Sequence, residues 1–177
     1  MIEQEIHDIC ERYEIFNYSI NHDGSIDVNG DVRLSYMDLT ELPLEFNIVN
    51  GHFYCDNNKL TSLNKFPKFV GGDCNVSYNN LTSLKGSIEY VVGYFDCSCN
   101  KLTSLKGSLM GVGYVFYCSY NQLTSLEGSP KDVKDKFCCD NNPLESLDGF
   151  NGNYDMLVCT NKDKLIRKTK LKILNIL

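Results

Sequence analysis

Nine cysteines and three histidines are the side chains of this sequence most capable of metal binding or covalent chemistry. A structural zinc site needs four ligands that converge tetrahedrally, commonly from two Cys-x-x-Cys pairs. The sequence holds no such pair, and its closest approaches are Cys97-Ser98-Cys99 and Cys138-Cys139. The spacing therefore predicts no metal site. The alternative is a reactive exposed thiol at Cys99 or Cys138, which by itself would not make an enzyme.

Enzymatic motifs are also absent from the sequence. His7, His22 and His52 fall on a predicted helix, a predicted hairpin and a predicted strand, which gives them no reason to meet. Neither a Gly-x-Ser-x-Gly nucleophile motif nor a phosphate-binding loop occurs. The sequence therefore predicts a protein that is not an enzyme and that uses no cofactor.

The charge balance is acidic, with 17 Lys and Arg against 23 Asp and Glu. An acidic chain is a poor general binder of phosphate backbones, so the composition argues against nucleic acid as a partner. No apolar run is long enough to span a bilayer, and the acidic start of the chain is unlike the basic start of a signal peptide. We therefore expect a cytoplasmic protein whose thiols are reduced.

A strict internal repeat must position all of these side chains. Leucine recurs every 21 residues, and a second leucine follows each of them three residues later. A fixed period of this kind is typical of a solenoid, in which each turn buries its apolar face against its neighbours. The first leucines of the six regular repeats are Leu39, Leu60, Leu81, Leu102, Leu123 and Leu144.

Polar and sulfur-containing residues repeat with the same period. An asparagine stands two residues before the first leucine at Asn58, Asn79, Asn100, Asn121 and Asn142. We interpret this row as an inward ladder whose amides pair with backbone groups that would otherwise be buried unpaired. The row five residues before the first leucine is rich in cysteine, which we interpret as a small apolar filler.

Apolar residues seven and five positions before each first leucine alternate with polar ones, as Phe95 and Cys97 do. This two-residue period predicts a short strand in each repeat with one face buried. A valine also recurs eleven positions before each first leucine, from Val28 to Val133. A glycine five positions after most first leucines predicts a tight return of the chain.

The start of the chain predicts an N-terminal cap over residues 1–28. Residues 2–16 form a predicted amphipathic helix, because apolar residues occur there at helical spacing. These apolar residues are Ile2, Ile6, Ile9, Tyr13 and Phe16. A β-hairpin follows over residues 18–28, with Asn21–Gly24 as its turn.

The repeats are predicted to fill residues 29–157, as six regular turns and a degenerate seventh whose strand slips by a residue or two. Residues 158–177 form a predicted C-terminal cap, either a short strand or a helix. The basic residues of the segment 162–177 leave one alternative open, which is attachment to an anionic membrane or to nucleic acid.

The repeat unit Phe-x-Cys-x-x-Asn-x-Leu-x-x-Leu resembles the leucine-rich repeat. Its 21-residue period is similar to the short bacterial type, and the Leu-Thr-Ser-Leu-x-Gly continuation resembles repeat arrays of phages and large viruses. The resemblance implies a curved parallel sheet with one short strand per repeat on the concave side, and irregular or 3₁₀ turns on the convex side. It also implies the host cytoplasm as the location, if the origin is viral.

Residues eight, six and three positions before each first leucine are predicted to point outward from the strands. Six of the eleven tyrosines occupy these rows, and tyrosine with asparagine and aspartate resembles the composition of an antibody-like binding surface. The predicted partner-binding residues are Tyr36, Tyr54, Asn75, Tyr78, Tyr94, Asp96, Tyr117 and Tyr120. The alternative interpretation is that tyrosine is simply a good strand residue.

The sequence therefore predicts a capped leucine-rich-repeat solenoid that binds a protein partner on its concave face without chemistry of its own. By resemblance, it would be a viral or phage protein that sequesters or inhibits a host factor. Two alternatives stay open: a self-assembling structural protein that forms a homo-oligomer, and attachment to nucleic acid or membrane through the basic C-terminal segment.

Overall fold

A computed structural model of the chain describes residues 2–86, 88–150, 152–153 and 156–173. Helix α1 (Glu3–Arg12) lies at the start and helix α2 (Lys162–Ile173) at the end. The strands between them are β1 (Tyr18–Ile20), β2 (Ile26–Val28), β3 (Val32–Arg33), β4 (Phe46–Val49), β5 (Phe53–Tyr54), β6 (Phe69–Val70), β7 (Cys74–Asn75), β8 (Tyr90–Val91), β9 (Phe95–Asp96), β10 (Gly111–Val112), β11 (Phe116–Tyr117), β12 (Asp132–Val133), β13 (Phe137–Cys138) and β14 (Leu157–Val158).

Each regular turn contributes two strands, so the solenoid has two sheets. Sheet A has the order β1-β2-β4-β6-β8-β10-β12, and sheet B has the order β3-β5-β7-β9-β11-β13-β14. Strand pairing in both sheets is parallel apart from the antiparallel hairpin of β1 and β2. The prediction of a repeat solenoid is confirmed. The prediction of one strand per repeat is wrong.

The recurring valines form the second sheet that the sequence interpretation missed. Val70 ends β6 and Cys74 begins β7, so three residues make the corner between the two sheets. The corners of successive turns stack so closely that a Cβ on Gly71 would lie 2.3 Å from the carbonyl oxygen of Asn50. Because the corner is this tight, the chain is extended on both sides of it, and an extended backbone suits β-branched valine.

The core lies between the two sheets and the leucine turns. Inward phenylalanines stack along the solenoid, with ring centroids 5.7 Å apart for Phe95 and Phe116 and 5.0 Å apart for Phe116 and Phe137. Leu102 and Leu105, the leucine pair of a central repeat, have no exposed surface. The predicted inward rows of the central turns are therefore buried.

The N-terminal cap differs from its prediction in length. The hairpin of β1 and β2 forms as expected, and α1 buries Ile6 against the core. The helix ends at Arg12 and not at residue 16, because Glu14 adopts a left-handed φ of 53° that turns the chain away. In consequence Ile15 is buried, whereas Phe16 is exposed.

The C-terminal cap is a helix, which resolves the alternative of strand or helix. The degenerate turn pairs Phe137 with Leu157, 20 residues later, so the predicted slip is one residue. Thr169 of α2 accepts a hydrogen bond from the Leu147 amide at 3.1 Å and donates to the Leu165 carbonyl at 2.9 Å. Neither described helix is long and apolar enough to cross a membrane.

The described segments between the first leucines and the following glycines are irregular, with single turns and bends, which is the irregular form among the two that the resemblance implied. Gly107 and Gly128 close two of these segments with φ values of 83° and 85°. Glycine adopts such a φ at no steric cost, so the predicted tight return is confirmed.

Candidate functional site

The outward side of sheet B carries the residues selected from the sequence. Register pairs Tyr54 with Asn75, Asn75 with Asp96, and Asp96 with Tyr117, so the four form one row across neighbouring strands. We define the sheet-B face as the residues eight, six, four and three positions before each first leucine. It extends from Asp31 in the first turn to Asn141 in the sixth.

The third residue before each first leucine has a left-handed backbone, and we call these six residues the left-handed row. Their φ values are between 53° and 60°. The row consists of Tyr36, Asn57, Tyr78, Cys99, Tyr120 and Asn141. Positive φ is uncommon outside glycine and asparagine and is unfavourable for a bulky residue. In the first five residues of this row, the backbone amide donates a hydrogen bond to a carbonyl of the next turn at 2.9–3.1 Å. These bonds hold the left-handed conformation in place.

The asparagine ladder lies directly after the left-handed row and explains its backbone. The side-chain amide of Asn79 donates to the carbonyls of Cys55, Val76 and Ser77 at 3.1–3.2 Å. Its oxygen accepts the amide of Leu60 at 2.9 Å. The left-handed residue turns the chain so that the following amide points inward and reaches these groups. The predicted ladder is confirmed.

The three tyrosines of the left-handed row are the most exposed members of the selected set. Tyr36 is 77% exposed, Tyr78 59% and Tyr120 60%. They alternate along the solenoid with the smaller Asn57 and with Cys99 and Asn141, so a tyrosine projects at every second turn. Interaction with the neighbouring Cys99 thiol raises the pKa of the Tyr78 phenol.

A polar network surrounds Tyr54 in the N-terminal half of the face. The Arg33 guanidinium lies 5.3 Å from the Tyr54 ring and pairs with Asp31 at 2.7 Å. The His52 ring stacks on Tyr54 with centroids 5.4 Å apart. His52 Nδ1 accepts a hydrogen bond from the Asp73 backbone amide at 2.9 Å, so this nitrogen carries no proton. The Asp73 carboxylate also lies 3.3 Å from Nδ1, but without a proton on this nitrogen the contact is not an ion pair.

Aromatic packing continues across the middle of the face. The rings of Tyr94 and Tyr117 meet edge to face, with centroids 6.1 Å apart. Burial, followed by the negative charge of Asp73, raises the pKa of Tyr54. Burial also raises the pKa of Tyr94, and the nearby Tyr54 adds to that rise. These phenols are therefore neutral hydrogen-bonding groups at physiological pH.

Asn75 and Asp96 use their side chains within their own turns. Asn75 Oδ1 accepts the Ser77 amide at 3.0 Å, and Asp96 Oδ1 accepts the Ser98 amide at 2.8 Å. Burial raises the pKa of the Asp96 carboxyl, and the bonds with Ser98 oppose that rise. Both residues stabilise the turn that leads from sheet B into the left-handed row.

Two expectations about exposure are wrong. Tyr54 and Tyr117, predicted to be exposed in the free protein, are half-buried because of the ring contacts just described. Val115, which the row pattern also points outward, is only 5% exposed. Alternation predicts the side of a strand to which a residue points, but it does not predict how deeply neighbouring side chains cover it.

The sequence interpretation also missed a second surface, the outward side of sheet A. Ile48, Phe69 and Tyr90 lie there in register on neighbouring strands. Met110 and Tyr114 are nearby in sequence and are 65% and 60% exposed. The sequence signal for this surface is the apolar residue that stands twelve positions before several of the first leucines. It indicates an outward-facing position only once the valine that follows it is assigned to a strand.

The cysteines divide into buried and half-buried thiols. Burial raises the pKa of Cys55, Cys97 and Cys118 well above the ordinary value, which makes them poor nucleophiles. Cys99 and Cys138 are half-buried on the sheet-B face. Within the described ranges, no group of three or more His, Cys, Asp or Glu side chains is placed to hold a metal ion.

The arrangement described so far is a rigid face with exposed and half-buried aromatic groups. No protein-family model, curated protein or solved structure matches the chain.

Proposed function

We propose that this chain is a non-enzymatic protein-binding module whose partner docks on the sheet-B face. The observation that supports the proposal is the set of three exposed tyrosines, Tyr36, Tyr78 and Tyr120, on a left-handed backbone. Tyrosine is enriched among the residues that dominate binding energy in protein interfaces. These three residues are the candidate anchors.

The fold does not explain why tyrosine occurs at these positions. Asn57 and Asn141 have the same backbone conformation in alternate turns, and asparagine tolerates positive φ better than tyrosine does. The alternative that tyrosine is only a good strand former does not apply, because a left-handed residue is not part of a strand. A side chain that the fold does not require, and that costs conformational energy, favours a role in binding.

The rigidity of the face also favours binding. Each tyrosine has a fixed position along the solenoid axis. It is held there by the backbone hydrogen bonds between neighbouring turns and by the asparagine ladder. A preorganised surface loses less conformational entropy on association, so each contact contributes more to affinity. Tyrosine adds large contact area with few rotatable bonds.

Sequestration of a host factor is the form of this function that the resemblance to phage and viral arrays implies. The face has an acidic excess, because Asp31, Asp56 and Asp73 lie on it together with further aspartates, against Arg33 and Lys136. Complementary potential steers association. A foreign partner of this face would therefore carry basic and polar groups.

Attachment through helix α2 is the weaker alternative. Leu165 is buried, and Ile166 packs against the core, so the apolar side of the helix is used for capping. A helix that binds a membrane surface needs that apolar side free. The exposed basic residues Lys164, Arg167 and Lys168 remain available only for electrostatic contacts.

The proposal is tested by replacing the three tyrosines with the residue that the chain itself uses at the same backbone position. Immobilised wild type, the triple variant Tyr36→Asn, Tyr78→Asn, Tyr120→Asn and the turn variant Thr103→Ala are each exposed to cell lysate. Bound proteins are quantified by mass spectrometry. Thr103 is exposed but lies outside the sheet-B face, so it is a matched control.

We expect at least one protein that wild type and Thr103→Ala retain and that the triple variant retains at least about 30-fold less, as expected for the loss of interface anchors. Thermal melts of all three proteins should agree to within a few degrees. If every retained protein binds the triple variant as strongly as wild type, no protein of the lysate docks through the tyrosines of the sheet-B face.

A further inference from the structure

We propose that the partner of the sheet-B face is a second copy of this chain, docked face to face with the two solenoids antiparallel. This inference rests on the proposed function, because it names the partner of the same face. It follows from the alternation of tyrosine along the left-handed row, from the charges of the face and from the charges of the two caps.

A two-fold axis centred on the six regular turns, with β14 of the seventh turn outside the opposed region, determines which residues would meet. Two faces can stack about an axis that lies between them and runs along the strands. Such an axis reverses the order of the turns but keeps each row opposite itself. With six regular turns, the first turn of one copy then faces the sixth of the other, the second faces the fifth, and the third faces the fourth.

In this register every tyrosine of the left-handed row faces a smaller residue. Tyrosines occupy the first, third and fifth turns, and smaller residues occupy the second, fourth and sixth. The opposed pairs are Tyr36 with Asn141, Tyr78 with Cys99, and Tyr120 with Asn57. The row is therefore complementary to itself.

The same register opposes no two carboxylates on the face. The opposed pairs are Asp31 with Lys136, Asp56 with Ser119, Asp73 with Tyr94, Asp96 with Asn75, and Asp140 with Ser35. Like charges set against each other across an interface are strongly unfavourable. The acidic excess of the face therefore does not prevent two copies from docking in this arrangement, which adds an ion pair at each end.

The caps extend this charge complementarity beyond the sheet. Residues 1–31 hold eight acidic side chains and one arginine, whereas residues 162–177 hold six basic side chains and one aspartate. Glu14 and Asp31 line a cleft at the N-terminal edge of the face, together with Arg12 and Arg33. A hydrogen bond of 3.2 Å from Thr160 to Asp140 brings the start of α2 to the other edge. Antiparallel docking brings the acidic cap of each copy towards the basic cap of the other.

The sheet-A surface lacks these properties. Its outward row begins with Asp27 and ends with Asp132, so the same two-fold operation would set aspartate against aspartate. Between them lies the apolar group Ile48, Phe69 and Tyr90, which has no alternation of large and small residues. Self-complementarity is therefore a property of sheet B and not of the repeat in general.

The size of the face sets the expected affinity. Six strands about 4.8 Å apart and a width of five residues bury about 900 Å² over both copies, near the lower end of specific interfaces. The caps add to this area. We therefore expect a dimer with a dissociation constant in the micromolar range. The dissociation constant should rise with salt concentration, because the caps attract each other through charges that salt screens.

Cross-linking tests the orientation directly. In the antiparallel dimer Arg33 faces Cys138 of the second copy, whereas within one chain they are five strands, about 24 Å, apart. The variant Arg33→Cys, Cys99→Ser is treated with a bismaleimide too short to span that distance. The control adds Cys138→Ser. We expect a covalent dimer, twice the 20.1 kDa of the chain, whose linked peptides contain positions 33 and 138, and its loss in the control.

Filling the spaces of the left-handed row tests the fit. Asn57→Tyr places a tyrosine opposite Tyr120, in a backbone conformation that Tyr36 and Tyr78 already adopt, so the fold should persist. We expect the dimer dissociation constant, from sedimentation equilibrium, to rise at least about 30-fold, as for the loss of an interface anchor. Thr103→Ala should leave it unchanged.

The outcomes separate this inference from the proposed function. A chain that stays monomeric at millimolar concentration overturns the antiparallel dimer, as does a dimer cross-linked between other positions or insensitive to Asn57→Tyr. If such a monomer still retains another protein through its tyrosines, the sheet-B face is a binding surface with a different partner. If the tyrosine variants change neither dimerisation nor capture, both proposals fail.

Discussion

The asparagine ladder and the left-handed row are adjacent in sequence but differ in every respect that matters for function. The ladder uses the same residue in five turns, because each amide bonds at least four backbone groups, as Asn100 does. The left-handed row has one backbone conformation but three residue types, and its tyrosines project into solvent. The ladder specifies the fold, and the row is free to vary once the fold is made.

This difference shows where to look for function in a repeat protein. A position that is identical in every turn is explained by the hydrogen bonds or packing of the turn itself. A position with fixed backbone and variable side chain is not explained by the fold, so its side chains can be selected by a partner.

The largest effect should come from breaking the ladder. Asn100→Ala removes hydrogen bonds to the carbonyls of Val76, Cys97 and Ser98 and to the amide of Leu81. Buried backbone groups without partners are costly, so the free energy of unfolding should fall by about 3 kcal/mol. Urea denaturation measures it. A midpoint equal to wild type would show that the ladder is not required.

A smaller loss should follow from changing the half-buried tyrosines of the face. Tyr54→Ala removes the stacking with His52 and the contact with Arg33, which together should cost about 1 kcal/mol. The sequence pattern alone predicts almost no change. Denaturant titration, which measures the free energy of unfolding, separates the two expectations. The control Thr103→Ala should have a free energy of unfolding within about 0.5 kcal/mol of wild type.

Substitution within the left-handed row should have the opposite sign. Tyr78→Asn places at φ 53° a residue that tolerates this conformation, so stability should rise by about 0.5 kcal/mol. The reverse change, Cys99→Tyr, should lower it slightly. Thermal melts at low protein concentration measure both. A large loss in Tyr78→Asn would mean that the tyrosine is structural and would weaken its assignment to binding.

The smallest effect concerns the pH dependence of stability. Because the pKa of Asp96 is raised in the folded state, its contribution is fully present below the ordinary aspartate pKa and is lost as pH rises through the raised value. Asp96→Asn keeps a turn bond of the kind that Asn75 makes, without the charge. Its melting temperature should therefore exceed that of wild type increasingly as pH rises through this window. A constant difference at all pH values would refute this assignment.

Much of the fold could be predicted because its causes are periodic. The leucine rows, the inward phenylalanines and the asparagines each serve the same contact in every turn, so spacing alone exposes them. The second sheet was missed because the valine row has no alternating partner and the resemblance supplied only one strand per repeat. The glycine corner, as at Gly71, was the available signal. The end of α1 depends on a local left-handed residue, Glu14, that no period marks.

Less of the candidate site could be predicted. The strand period correctly placed Tyr54, Asn75, Asp96 and Tyr117 in one row. It could not show that Asn75 and Asp96 are used by their own turns, since that depends on a bond to a residue two positions later. Nor could it show the left-handed backbone of Tyr78, because tyrosine gives no local signal for positive φ, unlike Asn57.

The alternation of large and small residues along the left-handed row has a consequence for how such a gene can change length. A duplication of one 21-residue unit keeps the ladder and both sheets intact and leaves the fold stable. When the duplicated turn carries a tyrosine, the number of turns becomes odd and two neighbouring turns carry tyrosine, so that in a centred antiparallel pair tyrosine would meet tyrosine. Lineages that depend on that pairing should therefore gain or lose repeats two at a time, whereas lineages that bind a foreign partner should show no such parity.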